Sequence, residues 1–73
     1  MQESVTAALG ITVNGEATST TAATLAELVE SLGHEARSVA TAVNGAFVAR
    51  AARGTHRLAP GDAVEIVAPR QGG

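Results

Sequence analysis

The order of apolar and polar positions changes period several times along this chain, and each change predicts an element. Ile11-Thr12-Val13 alternates apolar with polar, runs into Asn14-Gly15, and is followed by the short Thr-rich stretch Ala17 to Thr20. Alternation puts successive side chains on opposite faces of a strand, and Asn-Gly accepts the positive φ angles of a tight primed turn, so this stretch predicts a hairpin. From Thr24 the period becomes helical: Leu25, Leu28, Val29 and Leu32 fall at i, i+3, i+4 and i+7, a single apolar stripe. Thr24 is placed to accept from the Glu27 amide while the Glu27 side chain reaches back to the Thr24 amide, a capping box, and Gly33 supplies a left-handed stop. After a polar loop, Val39 to Val43 favours a strand, Asn44-Gly45 repeats the turn signal, and Phe47-Val48 gives a short returning strand. Ala49 to Arg57 reads as irregular and basic, Leu58 as a core plug, Pro60-Gly61 as a tight turn, and Val64 to Val67 as a closing strand.

The order hairpin, helix, hairpin, loop, strand predicts an α+β fold: a mixed sheet of four to five strands with one main helix packed on one face, the ubiquitin-like β-grasp order. The domain is expected over residues 9–68, preceded by an extension at 1–8 and followed by a tail at 69–73. Pro69 cannot donate to a ladder and Gly72-Gly73 carries no packing surface, so the tail is expected to leave the sheet and stay mobile. A chain of 73 residues has room for one domain. Such a chain buries only about 60% of its unfolded surface, so modest stability is expected.

Composition narrows the chemistry. Cysteine is absent, which removes disulfides, thiolate nucleophiles, side-chain persulfides and thiolate metal sites, and fits a cytoplasmic protein. No apolar run approaches the ~20 residues needed to cross a bilayer, so no membrane association is expected. A net charge of −2 and a single aromatic residue, Phe47, leave neither a phosphate-neutralising surface nor a stacking platform, so nucleic acid is not an expected partner. Charge is uneven: Glu3, Glu16, Glu27, Glu30 and Glu35 face only Arg37 early in the chain, whereas Arg50, Arg53, Arg57 and Arg70 outnumber Asp62 and Glu65 later. Such asymmetry can orient a protein partner. Every basic side chain is arginine. Coding bias explains that in an alanine-rich chain, and so does a need to keep amine nucleophiles away from an activated acyl group.

Candidate side chains point away from catalysis. His34 and His56 are isolated, with no second ligand at helical or strand spacing, so no metal site is expected. Glu27 and Glu30 read as helix-surface and capping residues, and Thr18, Ser19, Thr20 and Thr21 lack a base that would activate a hydroxyl. Neither Asn-Gly turn carries the lysine and following helix of a phosphate loop. No catalytic constellation remains, and attention falls on the terminus. Two closing glycines arise by chance in roughly one chain in 200. A terminal glycine has no Cβ, so its carboxylate can pass down a narrow channel into another protein's active site.

In this order and spacing, ITVNG, TLAELVESLG, ATAVNGAFVAR, LAPGDAVEIV and the closing QGG resemble the ubiquitin-like sulfur carriers of thiamine biosynthesis, the ThiS family, from about Ile11 to Gly73. The chain departs from the family pattern in its longer start, in Ala49 where a proline is usual, and in lacking an aromatic near Arg53. The resemblance implies a non-enzymatic carrier, a monomer when free, with no bound cofactor. An E1-like adenylyltransferase would use ATP and Mg²⁺ to adenylate the Gly73 carboxylate. Sulfur from a cysteine desulfurase persulfide, or a comparable donor, would then give a thiocarboxylate, and thiazole synthase would receive the sulfur. On that resemblance Gly73 carries the sulfur, Gly72 gives access, Gln71 and Arg70 contact the activator, and the outer sheet face docks partners. The alternatives are the small subunit of molybdopterin synthase, a carrier feeding cysteine or another sulfur metabolite, a protein modifier, and a plain β-grasp interaction module.

Overall fold

A computed structural model, which describes residues 7–68 of the chain, places φ at 52° for both Asn14 and Asn44, and at 87° and 85° for the glycines that follow. Positive φ at both central positions is the mark of a type I′ turn, whose twist matches that of the strands it joins. The first turn links β1 (Leu9–Val13) to β2 (Glu16–Thr20), antiparallel, with Val13 opposite Glu16 and Leu9 opposite Thr20. The second links β3 (Ala40–Val43) to β4 (Ala46–Val48) in the same manner. The closing strand, β5 (Ala63–Val67), enters between the hairpins, parallel to β1 and antiparallel to β3, and the sheet order is β2-β1-β5-β3-β4. This is the mixed five-stranded β-grasp sheet that the element order predicts.

One helix, α1 (Leu25–Ser31), covers one face. Leu25, Leu28 and Val29 of its stripe are buried against Ile11, Val39, Val43, Val48, Leu58, Val64 and Ile66. Leu32, the fourth member of the stripe, caps the C-terminus and stays 46% exposed. The helix stops there because Gly33 turns left-handed, at φ 85°, and the Gly33 and His34 amides donate back to Glu30 and Val29. That pairing is a Schellman cap. At the other end Thr24 Oγ1 accepts from the Glu27 amide at 3.2 Å, as expected, but the Glu27 carboxylate accepts from the Ala23 amide at 2.8 Å instead of the expected Thr24 amide. Thr24 is bridged to Arg57 in strand fashion, with the Leu25 amide on the His56 carbonyl and the Leu58 amide on the Ala23 carbonyl. The chain entering α1 is thereby tied to the segment that delivers Leu58 to the core.

The stretch from Arg50 is more regular than its composition suggests. Arg50–Thr55 forms a 3₁₀ helix, and a single 3₁₀ turn, Ala36–Ser38, lies in the loop after α1. Arg53 explains why both are fixed. Its side chain is only 3% exposed. Nε donates to Thr41 Oγ1 at 2.9 Å, Nη1 to the Ala36 carbonyl at 2.8 Å, and Nη2 to the Val39 carbonyl at 2.7 Å. Thr41 passes the chain of bonds on, donating to the Val48 carbonyl at 2.8 Å. The planar guanidinium thus satisfies carbonyls at the entry to β3 that no strand reaches, and its donors are rigidly spaced for that purpose. Arg53 is consequently a structural residue and leaves the basic surface that the charge count suggested.

Arg53→Met is expected to lower unfolding free energy by about 2–4 kcal/mol, because the buried Val39 carbonyl, the part-buried Ala36 carbonyl and the Thr41 hydroxyl lose a charged donor, and Arg53→Lys to recover less than half of that. Urea denaturation with an unchanged m-value checks both. Thr24→Ala is expected to cost about 1 kcal/mol through the lost cap, read in the same titration.

Candidate functional site

Arg70, Gln71, Gly72 and Gly73 lie outside the described residues. The described residues fix the strand that carries them. Val67 closes β5 opposite Ala40, and Gly73 is six residues further on, at most about 20 Å of extended chain. Because β5 is central, it ends in the middle of the sheet, with a hairpin on either side.

Both Asn-Gly turns hold that central strand as well as turning the chain. At the first, the Asn14 amide donates to the Val64 carbonyl at 2.8 Å, after which β1 turns away. The Asn14 side chain then continues the ladder in place of backbone: Oδ1 accepts from the Ile66 amide at 2.9 Å and Nδ2 donates to the Ile66 carbonyl at 3.1 Å. A carboxamide carries the same donor and acceptor as a peptide unit, so the substitution is chemically like for like. At the second turn, the Asn44 amide donates to the Ala63 carbonyl at 2.7 Å, Oδ1 accepts from the Ala63 amide at 2.9 Å, and Nδ2 donates to Asp62 Oδ1 at 3.0 Å. Asp62 Oδ2 accepts in turn from Ala59 across the Pro60-Gly61 turn. Since β1 runs parallel to β5 and β3 antiparallel, one turn grips the start of the strand and the other its end.

The strand register fixes the face opposite α1. Val64 and Ile66 point to the core, so Ala63, Glu65 and Val67 point outward, joined by Ala40 and Ala42 of β3, Phe47 of β4, Gly10 and Thr12 of β1, and Ala17 and Ser19 of β2. Nearly all of these are small, which leaves a flat platform. Two larger apolar groups stand on it: Phe47, 72% exposed, and Val67, 58% exposed, at the foot of the tail. Ala40 and Ala42 lie between them and make a shallow trough. A groove beside Phe47 is lined by Ala40, Arg37 and Arg50, while Glu65 occupies the middle of the sheet.

The other candidates stay apart. His34 is exposed on the helix side, and among the described residues no group of three or more His, Asp or Glu side chains is close enough to hold a metal ion. Thr18 and Ser19 are exposed on the edge strand β2. Sequence reasoning assigned Asn14 and Asn44 to turn formation alone and missed their grip on β5. Pairing order held the signal: once β5 lies between the hairpins, each Asn falls beside a strand whose neighbour has just ended.

A ThiS family model matches residues 10–73, a span that contains Arg70, Gln71, Gly72 and Gly73. No match was found among curated protein sequences. Among solved structures, the crystal structure of the thiamine biosynthesis protein ThiS from Geobacter metallireducens is similar, at 30% identity and a TM-score of 0.74, over 89% of this chain and 100% of that one. The solution NMR structure of a thiamine biosynthesis protein from the same organism is equally similar, at 30% identity and a TM-score of 0.74, over 89% of this chain and 88% of that one. Sequence match and fold agree from the first strand through the last, and on that ground the chain belongs to the ThiS family of sulfur carriers in thiamine biosynthesis.

Proposed function

We propose that the chain carries sulfur as a thiocarboxylate on Gly73 and delivers it for thiazole formation. The family match over residues 10–73 is the observation that carries this reading, because it extends through the Gly-Gly end itself. The chemistry begins with a carboxylate, which resists nucleophiles. A carboxylate oxygen of Gly73 attacks the α-phosphorus of ATP on an E1-like adenylyltransferase, giving an acyl-adenylate and pyrophosphate, with Mg²⁺ as part of the activator's nucleotide substrate. Sulfide displaces AMP to leave the thiocarboxylate directly. A cysteine desulfurase persulfide instead leaves an acyl disulfide, which a second thiol cleaves, taking away the other sulfur as a disulfide. Thiazole synthase is the acceptor in this reading, and the similarity to thiamine biosynthesis proteins favours it over the molybdopterin alternative.

Gly72 gives the backbone room to enter a narrow channel, and Gln71 and Arg70 supply polar contacts to the activator. The platform around Phe47 and Val67 supports docking by the outer sheet face. The chain acts as a co-substrate with no catalytic residue and no bound cofactor of its own. No described helix is long and apolar enough to cross a membrane.

Incubation with a cognate E1-like enzyme, ATP-Mg²⁺ and sulfide is expected to exchange one terminal oxygen for sulfur, seen by intact-mass analysis. An unchanged mass, with an activator competent on its own carrier, would contradict the proposal. Deleting Gly73 is expected to abolish exchange without altering the urea midpoint. Phe47→Ser is expected to raise the KM for this carrier about 10-fold at unchanged stability, because the ring is exposed in the free protein and buried only on docking.

A further inference from the structure

The two asparagine clamps sit at opposite ends of β5, and only Asn14 lies at its C-terminal end. On the β3 side, pairing continues to Val67, opposite Ala40. On the β1 side, strand pairing ends at Val13 opposite Val64. Beyond that point the Ile66 amide and carbonyl meet the Asn14 side chain, at 2.9 and 3.1 Å. Asn14 therefore closes the last two bonds on that side before residues 69–73 begin. We propose that Asn14 is a positioning residue for the terminal carboxylate: by closing both backbone bonds of Ile66, it fixes the point from which the tail leaves the sheet.

This role rests on the carrier reading and deepens it. An activator that docks on the outer sheet face meets a tail whose usable length is counted from the last fixed residue. With Asn14 intact, β5 is held on both sides at Ile66 and paired with Ala40 at Val67. Without it, the end of β5 is held from the β3 side alone and frays, which frees further residues. Each freed backbone residue must be ordered again before the carboxylate reaches the reacting phosphorus, and ordering one residue lowers the productive fraction about 5- to 30-fold. The loss falls on the reacting geometry more than on docking, so it is expected in kcat with KM little changed.

The test compares Asn14→Gly with Asn44→Gly in the full chain. Glycine keeps the positive φ of each turn and removes only the side-chain amide. Each variant loses two side-chain bonds: Asn14→Gly both of those to the Ile66 backbone near the end of β5, and Asn44→Gly one to the Ala63 amide at its start and one to the Asp62 carboxylate just before it. Hydrogen exchange, which needs no activator, is read at Val67, whose own pairing partner is Ala40. Asn14→Gly is expected to raise Val67 exchange about 10-fold, and Asn44→Gly to leave it as in the unaltered chain. In the activation assay, Asn14→Gly is expected to lower kcat about 5- to 30-fold with KM within about twofold, and Asn44→Gly to leave both unchanged. Unchanged Val67 protection in Asn14→Gly, or an equal fall in kcat for both variants, overturns the positioning role while the carrier reading stands. Failure of the unaltered chain to take up sulfur overturns the carrier reading instead.

Discussion

The last strand made is the middle strand of the sheet, and each hairpin depends on it to complete an inner edge. Residues Ala63–Val67 supply Val64 and Ile66 to the core and backbone partners to both β1 and β3. Neither hairpin buries enough surface to stand alone, as two-stranded ribbons are marginal in water. The β1–β5 pairing joins residues about 50 positions apart, so its loop closure is slow and is rewarded only when the whole sheet forms. The two asparagine clamps meet this constraint by each extending the hold on β5 past the end of the strand that carries it, Asn14 beyond β1 and Asn44 beyond β3.

A chain of this size without a disulfide has few ways to secure such an arrangement. Here buried polar groups supplement the apolar core. Arg53 ties the 3₁₀ segment to the entry of β3, Asp62 ties the Pro60-Gly61 turn to Asn44, and Thr41 ties β3 to both Arg53 and β4. Each network is closed: among the described residues no buried side-chain polar atom lacks a partner. A closed network costs little to bury and holds one geometry.

The elements themselves were legible because their signals are local. Asn-Gly turns, the Leu25-Leu28-Val29 spacing, Thr24 and Gly33 each act within a few residues of the structure they specify. Leu32 shows the limit of such a pattern: the stripe predicts burial, but the residue falls where the helix has already ended. Glu27 shows another, since strand-like pairing around Thr24 and Arg57 moves its carboxylate one amide back. Arg53 was misread as surface charge because its acceptors, Ala36, Val39 and Thr41, come from chain far upstream and are neutral, so no acidic partner in the sequence announces it. The clamping roles of Asn14 and Asn44 were hidden for the same reason. The tail residues were singled out from the sequence because the absence of any competing constellation is itself readable from composition, and they lie outside the described residues.

In the proposed function, carriage of sulfur on Gly73 and its delivery to a thiazole acceptor are separate steps, and the second is the one that would set this chain apart from other Gly-Gly carriers. The most direct measurement is single-turnover transfer from a chain bearing isotopically labelled sulfur in its Gly73 thiocarboxylate, presented to thiazole synthase with its other substrates. The label is predicted to appear in the thiazole product while the protein returns to the mass of the carboxylate. Label that stays on the protein with thiazole synthase, yet leaves when the large subunit of molybdopterin synthase and its pterin substrate are supplied, would contradict the account.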